Sequence, residues 1–562
     1  MKTVKYIFSI LIIGLFMLPS CNEEERLKEV PKDFYSPENA YITKDNFQSA
    51  INHLYYRVRH IHWGLSENCR YSYYHATDFA YCFEINAPGS GHLNDYKDLM
   101  LPTRSEVREL WDELYSLITD ANIILTRIDA DASQVLPGDR QAMKSETLFF
   151  RAFAYRMLAN AWGGVPIVVE EVTVPRRDYV RATREEVYQQ CVSDLLTAIT
   201  VLPDVDKVTD GKTNKHAALH LLTEVYISLK QWDNAINAAT QVINYSGNEL
   251  MKERFGAFKN EEGDVYWDLF RQNNQNRQSG NKEALYVLQY DYNSAGSTSS
   301  TTAGPRCFIP FYETAALDGQ TLFVGVTDRK GGRGIGWARP TNLFVHEIWA
   351  KDGTADIRNS PYNIVRDLRV DNPRSPHFGK WIAADGLNQR IDTIRCFYPL
   401  MTKVCRVSDF PEDFYVSKNV SDTTAFGERR LLAAANSSYK DEYLFRLAET
   451  YLLHAEACVG KGDMAGALAS INTVRARAKA SPATLAEMSL DYVLEERLRE
   501  LYTEELRIFT LLRLGKLYER VKKYNRWSGR TIEEYHNLWP IPYTEIERNT
   551  AAVLAQNPGY IN

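Results

Sequence analysis

The 562-residue sequence has no C-x-x-C pair and no Cys/His spacing of a zinc site, which removes small structural metal modules. It has no H-E-x-x-H, because His346-Glu347 runs on into Ile348-Trp349-Ala350. A G-x-S-x-G elbow is missing, and Gly211-Lys212-Thr213 lacks the upstream glycine that a phosphate loop needs. No cofactor, metal or catalytic residue is expected on these grounds. Positive charge is not in excess either, since 66 Lys+Arg against 72 Asp+Glu leaves −6. Nucleic-acid binding rests on concentrated basic surface and drops out. Beyond residue 18 no apolar run is long enough to cross a bilayer. With 72 acidic residues some carboxylate pair will always sit at glycosidase separation, so carboxylates alone lend a hydrolase no support.

What is present begins at the N-terminus. Lys2 and Lys5 precede an apolar run, Ile7 to Leu18, too short to span a membrane. It ends Leu18-Pro19-Ser20-Cys21, which resembles a lipobox: residues 1–20 read as a signal peptide and Cys21 as the lipidated, palmitate-bearing first mature residue. Asn22-Glu23-Glu24-Glu25 opens an acidic tether over 21–40. It is similar to the signal that places some Gram-negative lipoproteins on the outer face of the outer membrane. Seven cysteines remain after Cys21, at 69, 82, 191, 307, 396, 405 and 458. Cys69 with Cys82 and Cys396 with Cys405 are close enough in sequence to pair in an oxidising compartment, and buried thiols fit equally well.

Helical patterns occupy both ends. Thr183-Arg184-Glu185-Glu186 is a capping box ahead of Val187, Cys191, Leu195, Ala198 and Ile199 at helical spacing. Leu494, Leu498, Leu501, Phe509 and Leu512 predict one long helix over about 489–523. His216–Asn244 and Ala448–Ala476 repeat each other at a shift of 232, so that Glu224 meets Glu456, Ala235 meets Ala467 and Val242 meets Val474. Each reads as helix, tight polar turn and second helix, a tetratricopeptide-like unit that must stack on a neighbour to bury its apolar face. A further pair is expected at 105–129 with 141–161. The middle, about 250–440, is rich in Gly, Asn, Ser and aromatics, with a strand-like run at 284–290. It reads as loops carried by a rigid frame.

At this level the resemblance becomes specific. Arg151-Ala-Phe-Ala-Tyr155 running to Ala161-Trp162-Gly163-Gly164-Val165-Pro166-Ile167 is similar to a signature of the SusD/RagB family. So is Phe445-Arg446-Leu447-Ala448-Glu449 with Ile471-Asn472-Thr473-Val474-Arg475-Ala476-Arg477. Glu496 to Leu501, Glu504, Arg507, Leu538-Trp-Pro-Ile-Pro542, Asn549 and Gln556-Asn-Pro-Gly-Tyr560 complete the pattern. Thr510-Leu511 stands where Asp-Leu is more usual, and Glu505 replaces a common Gly. The resemblance implies a mainly α fold: a tetratricopeptide-like helix-pair scaffold at about 41–250 and 440–562, with a loop-rich, partly β-stranded insertion at 250–440. It implies a non-catalytic outer-membrane lipoprotein that captures oligosaccharides, or peptides in the RagB branch. The partner is a SusC-like TonB-dependent transporter, over which the protein closes as a lid. It also implies that Arg446, Glu449, Arg497, Glu500 and Arg507 are buried ion pairs.

Binding residues are sought among aromatics, which make up 12% of the chain, with 34 Tyr, 23 Phe and 10 Trp. A sugar ring lays its apolar C–H face on Trp or Tyr, while its hydroxyls want polar groups at the edge. Tyr71–Tyr81 supplies both kinds. By resemblance, the residues following its Thr77-Asp78 element point to Asp78, Tyr81, Phe83 and Asn86, and the loop after the 284–290 strand points to Tyr290 and Tyr292. Trp337 with Arg339, behind the turn Gly331-Gly332-Arg333-Gly334, and Trp63 are the remaining candidates.

Overall fold

The computed structural model describes residues 40–83, 91–292, 302–391, 393–405, 407 and 410–561. Signal segment 1–20, Cys21, most of the tether, Asn86 and the low-complexity stretch 293–301 lie outside them. The scaffold helices are α1 Lys44–Trp63, α2 Ser105–Arg127, α3 Pro137–Trp162, α4 Arg184–Ile199, α5 Lys215–Ser228 and α6 Trp232–Ile243. After the middle region come α7 Leu447–Lys461, α8 Met464–Arg477, α9 Leu490–Leu501, α10 Arg507–Arg513 and α11 Leu517–Tyr524. The capping box forms as the sequence predicts. Thr183 Oγ1 accepts from the Glu186 amide at 3.2 Å, and the Glu186 carboxylate accepts from the Thr183 amide at 2.7 Å. No helix among the described residues is long and apolar enough to cross a membrane.

The helices stack in chain order, α1 on α2, α2 on α3, and so on to α5 on α6. Then α6 packs directly on α7, although the whole middle of the chain separates them. The two repeats are therefore consecutive layers of one stack, each burying the apolar stripe the other exposes. Repeat-related positions behave alike: Ala235 and Ala467 are buried where helices cross, as are Val242 and Val474. Glu224 and Glu456 converge on one guanidinium, that of Arg513, at 3.6 and 2.6 Å.

The middle region leaves and re-enters the stack through a strand pair, β2 Ala284–Leu288 against β8 Glu442–Arg446. Other strands are short. Antiparallel β1 Ala80–Cys82 pairs with β5 Ala338–Pro340, β3 Ala316–Leu317 with β4 Gln320–Thr321, and β6 Ile364–Val365 with β7 Leu400–Met401. Cys69 Sγ lies against the Glu106 carbonyl and Cys405 Sγ against the Thr402 carbonyl, so both are buried thiols and neither sequence-adjacent disulfide is made.

The single helix expected over 489–523 is three helices. It stops at Leu501 because the Glu500 carbonyl is taken by side chains: Tyr266 Oη at 2.6 Å, Arg446 Nη2 at 2.7 Å and Lys403 Nζ at 3.0 Å. Thr503 then takes φ +64°, and Gly515 with φ +64° ends α10. Local periodicity cannot register donors that arrive from 54, 97 and 234 residues away.

The acids of α9 clamp the middle region to the stack. Glu500 receives Arg446 at 2.6 Å, Arg358 at 3.2 Å and Arg477. Glu496 receives Arg358 at 2.7 Å, Arg499 at 2.8 Å and Arg475 at 2.9 Å. Arg477 also meets Glu283, and Arg446 meets Glu504 at 2.7 Å. Burial alone would raise the Glu496 carboxyl, but Arg358, Arg499 and Arg475 overcome it and hold it at about 2. Glu449 is also at about 2, burial being outweighed by His220 and Arg497.

Removing one partner of such a buried pair strands the others. Glu500→Gln is expected to cost roughly 3–5 kcal/mol in a urea melt, and Lys44→Ala, which breaks an exposed pair with Asp139, less than about 1 kcal/mol. Depressed carboxylates bind fewer protons folded than unfolded. Their stabilisation is complete above the unfolded value of 4.5 and is lost as pH falls towards 2. Urea midpoints taken across that window should decline steadily, and a flat profile would contradict the ion-pair account.

Candidate functional site

Strands β1 and β5 bring together two stretches that the sequence separates widely. Tyr81 lies opposite Arg339, so their side chains share one face of the ribbon. One residue further out, the Phe83 amide donates to the Trp337 carbonyl at 3.3 Å, and the two rings meet edge to face at 5.2 Å. Tyr71 backs the Trp337 ring at 5.5 Å. The Arg395 guanidinium lies 4.1 Å from the Phe83 ring centre and 4.6 Å from that of Phe311, and Arg339 lies 5.7 Å from that of Tyr398.

The Gly-rich turn aims Trp337. Gly332 sits at φ +86°, and a Cβ on Gly334 would stand 2.2 Å from the Ile309 carbonyl oxygen, so the backbone there is pressed against the loop carrying Phe311. Two polar atoms in this cluster, Trp337 Nε1 and Tyr398 Oη, are buried without a hydrogen-bond partner. Desolvation lifts the Tyr398 hydroxyl well above the usual phenol range, so it remains a donor. Aromatic faces, half-buried guanidiniums and unused donors can together stack on an apolar ring and hydrogen-bond its substituents. No group of three or more His, Cys, Asp or Glu side chains among the described residues is placed to hold a metal ion.

The structure sorts the expected residues. Phe83, Trp337 and Arg339 are half-buried and form the candidate platform, while Tyr81, on the same face of the ribbon, is 5% exposed. Asp78 is not a ligand contact. Its fully buried carboxylate binds Arg507 at 2.8 Å and Arg520 at 2.5 Å, and those guanidiniums outweigh burial and hold it well below the carboxylate range. Trp63 is corrected likewise: 6% exposed, it stacks on Tyr74 and donates from Nε1 to Glu442. Tyr290 is buried, with its amide on Asp441 at 2.7 Å. Tyr292 belongs to another group, packed on Phe414 and Tyr439 and bonded to Asp413 at 3.2 Å. Asn86 lies outside the described residues. Arg395, Phe311 and Tyr398 were missed. Arg395-Cys396-Phe397-Tyr398 has the same mixture of guanidinium and aromatics as the chosen stretches and was legible by that criterion.

Residues 282–560 match a family model described as the SusD family, and residues 36–227 match one described as starch-binding associating with outer membrane. The chain belongs to the SusD/RagB family. A SusD-like protein of Formosa agariphila is 24% identical across 98% of this chain and 99% of its own. The starch-binding protein SusD of Bacteroides thetaiotaomicron is 36% identical over 124 residues, 21% of either chain. A laminarin-binding SusD-like protein superposes with a TM-score of 0.67 and 21% identity, covering 92% of this chain and 100% of that one. A surface glycan-binding protein from Bacteroides fluxus gives 0.63 at 18% identity, with 92% and 100% covered.

Against the SusD/RagB pattern, the two departures of this chain meet each other. The Glu505 carboxylate accepts from Thr510 Oγ1 at 2.7 Å and from Arg497 Nε at 2.6 Å, and it pairs with Arg507 at 3.0 Å. The negative charge beside Thr510 comes from Glu505, a side chain in the break between α9 and α10.

Asp78→Asn should destabilise the fold by roughly 3–5 kcal/mol, because Arg507 and Arg520 stay buried without their shared anion. Differential scanning calorimetry checks this. A melting midpoint equal to wild type would return Asp78 to the list of ligand contacts.

Proposed function

We propose that the mature protein is a non-catalytic surface lipoprotein that captures oligosaccharides and delivers them, as a lid, to a SusC-like TonB-dependent transporter in the outer membrane. The single observation that carries this is the half-buried edge-to-face pair of Phe83 and Trp337 with Arg339 and Arg395 at its rim, set in a SusD-family chain. The starch-binding and laminarin-binding names of relatives favour a saccharide over a peptide. Cys21 carries the lipid in this reading, residues 21–40 form the tether, and 41–562 act as one unit. Tethering beside a pore raises the effective concentration of captured ligand, so modest affinity suffices. The stacked helices supply a stiff frame, and capture on a shallow platform leaves the ligand free to pass on.

Affinity gel electrophoresis against a glycan panel, followed by calorimetry on the retained glycan, tests this. Trp337→Ala and Phe83→Ala should each weaken binding several-fold, since a ring contact is worth about 0.5–1.5 kcal/mol beyond its buried area. Wild-type affinity in both variants would reject the platform, and release of shortened products from the glycan would reject the non-catalytic role.

A further inference from the structure

Tyr81 and Phe83 alternate onto one face of β1 and its extension, Trp337 and Arg339 onto the same face of the opposing strand, because Tyr81 pairs with Arg339. A third segment reaches this face from the C-terminal side. The Arg526 guanidinium lies 5.9 Å from the Tyr81 ring centre and 5.1 Å from that of Trp527, and Arg530 lies 4.5 Å from the Trp527 ring centre. Arg526 and Arg530 are exposed, and Trp527 is half-buried. The aromatic surface therefore continues from Trp337 and Phe83, past Tyr81, to Trp527, and guanidiniums accompany it throughout.

Charge on this surface is one-sided. Residues 516–530 hold six cations, Lys516, Arg520, Lys522, Lys523, Arg526 and Arg530, against the single acid Glu519, in a chain whose net charge is −6. Two of the six are spent, Lys516 on Glu519 at 2.6 Å, and Arg520 on Asp78 at 2.5 Å and Asp491 at 2.9 Å. Among the described residues no carboxylate stands within 4.0 Å of Arg339, Arg526 or Arg530. Two acids of neighbouring loops are matched one to one, Glu67 by Arg306 at 2.8 Å and Glu313 by Arg333 at 2.6 Å. Stacking on a ring uses the flat face of a guanidinium and leaves the N–H groups at its edge to donate. Arg339 spends Nη1 on the Phe397 carbonyl at 3.4 Å, and the side chains of Arg526 and Arg530 make no hydrogen bond to a described residue. Like charges gathered without a counter-charge repel one another, and a bound anion turns that cost into attraction. A guanidinium has five donors and no acceptor, which suits an oxyanion. We infer that the glycan taken by the platform is anionic. A sugar ring lies on Trp337 and Phe83, and carboxylate or sulfate groups along the chain are held by Arg339 and Arg526, with Arg530 beside the units that follow. The inference rests on the platform reading above and adds its substrate class.

The test is affinity electrophoresis of the full mature chain in gels holding polygalacturonate or alginate, which carry carboxylates, κ-carrageenan or fucoidan, which carry sulfate esters, and starch or laminarin, which are neutral. At least one anionic glycan should retard the protein, and the neutral pair should bind at least about tenfold more weakly. Retardation by the carboxylated or by the sulfated gels alone assigns the acid group. Raising salt from about 0.1 to about 1 M shortens the Debye length from about 10 to about 3 Å and should release most of the bound protein. Arg339→Gln and Arg526→Gln should each weaken binding by roughly three- to tenfold, whereas Lys207→Gln, which removes an exposed cation elsewhere, should not. Arg526 has no ion-pair partner among the described residues, so its variant should melt at the wild-type midpoint, and binding lost there is not lost folding. No retardation by any anionic gel, equal retention by neutral and anionic gels, or wild-type affinity in both arginine variants would overturn the anionic ligand. If a neutral glycan is held instead and Trp337→Ala releases it, the platform stands and the anion falls. If an anionic glycan is held through Arg339 and Arg526 while Trp337→Ala changes nothing, the platform falls and the basic surface keeps its ligand.

Discussion

The carboxylates of α9 and the arginines around them form the constraint on which the rest of this molecule depends. Glu496 and Glu500 are buried beneath three guanidiniums each, and those guanidiniums come from β8, α8, α9 and the middle region. A buried charge cannot return to water without unpacking its surroundings, and an unpaired one is worse than none. The network therefore acts as a registry device. It admits one relative placement of stack and insertion, the one in which every charge finds its partners. Hydrophobic burial supplies the bulk of the stability, but it is non-directional and would tolerate sliding that the ion pairs forbid.

The same logic governs the candidate platform. Asp78 lies beside β1, and its pairing with Arg507 and Arg520 anchors that strand's approach to the C-terminal helices. From this fixed point the chain runs through Tyr81 to Phe83, and β5 is laid against it with Trp337 in register. A residue chosen as a contact is the footing of the candidate platform next to it. Charge that is fully neutralised inside a fold has little left to offer a ligand, whereas half-buried rings and orphaned donors still do.

The repeat at 216–244 and 448–476 was legible because stacked helix pairs demand small residues at fixed crossings and an apolar stripe on each face. Ala235, Ala467, Val242 and Val474 meet those demands locally, and the framework arginines and glutamates could be named as ion pairs from the family resemblance. The end of α9 was not legible. The apolar periodicity of Leu494, Leu498, Leu501, Phe509 and Leu512 continues straight through a break set by Tyr266, Lys403 and Arg446 on the Glu500 carbonyl.

Sequence alone determined what is local or periodic: the capping box at Thr183, the helix pairs, and the motifs that resemble the SusD/RagB family. Only tertiary structure decided which aromatics share a face. Phe83 and Trp337 are brought together just beyond a three-residue strand pair that carries almost no propensity signal, while Trp63 and Asp78, equally promising by composition, are consumed by internal partners. The physical reason is that a side chain's availability depends on what the remainder of the chain leaves unpaired, and that is settled only when distant segments have packed.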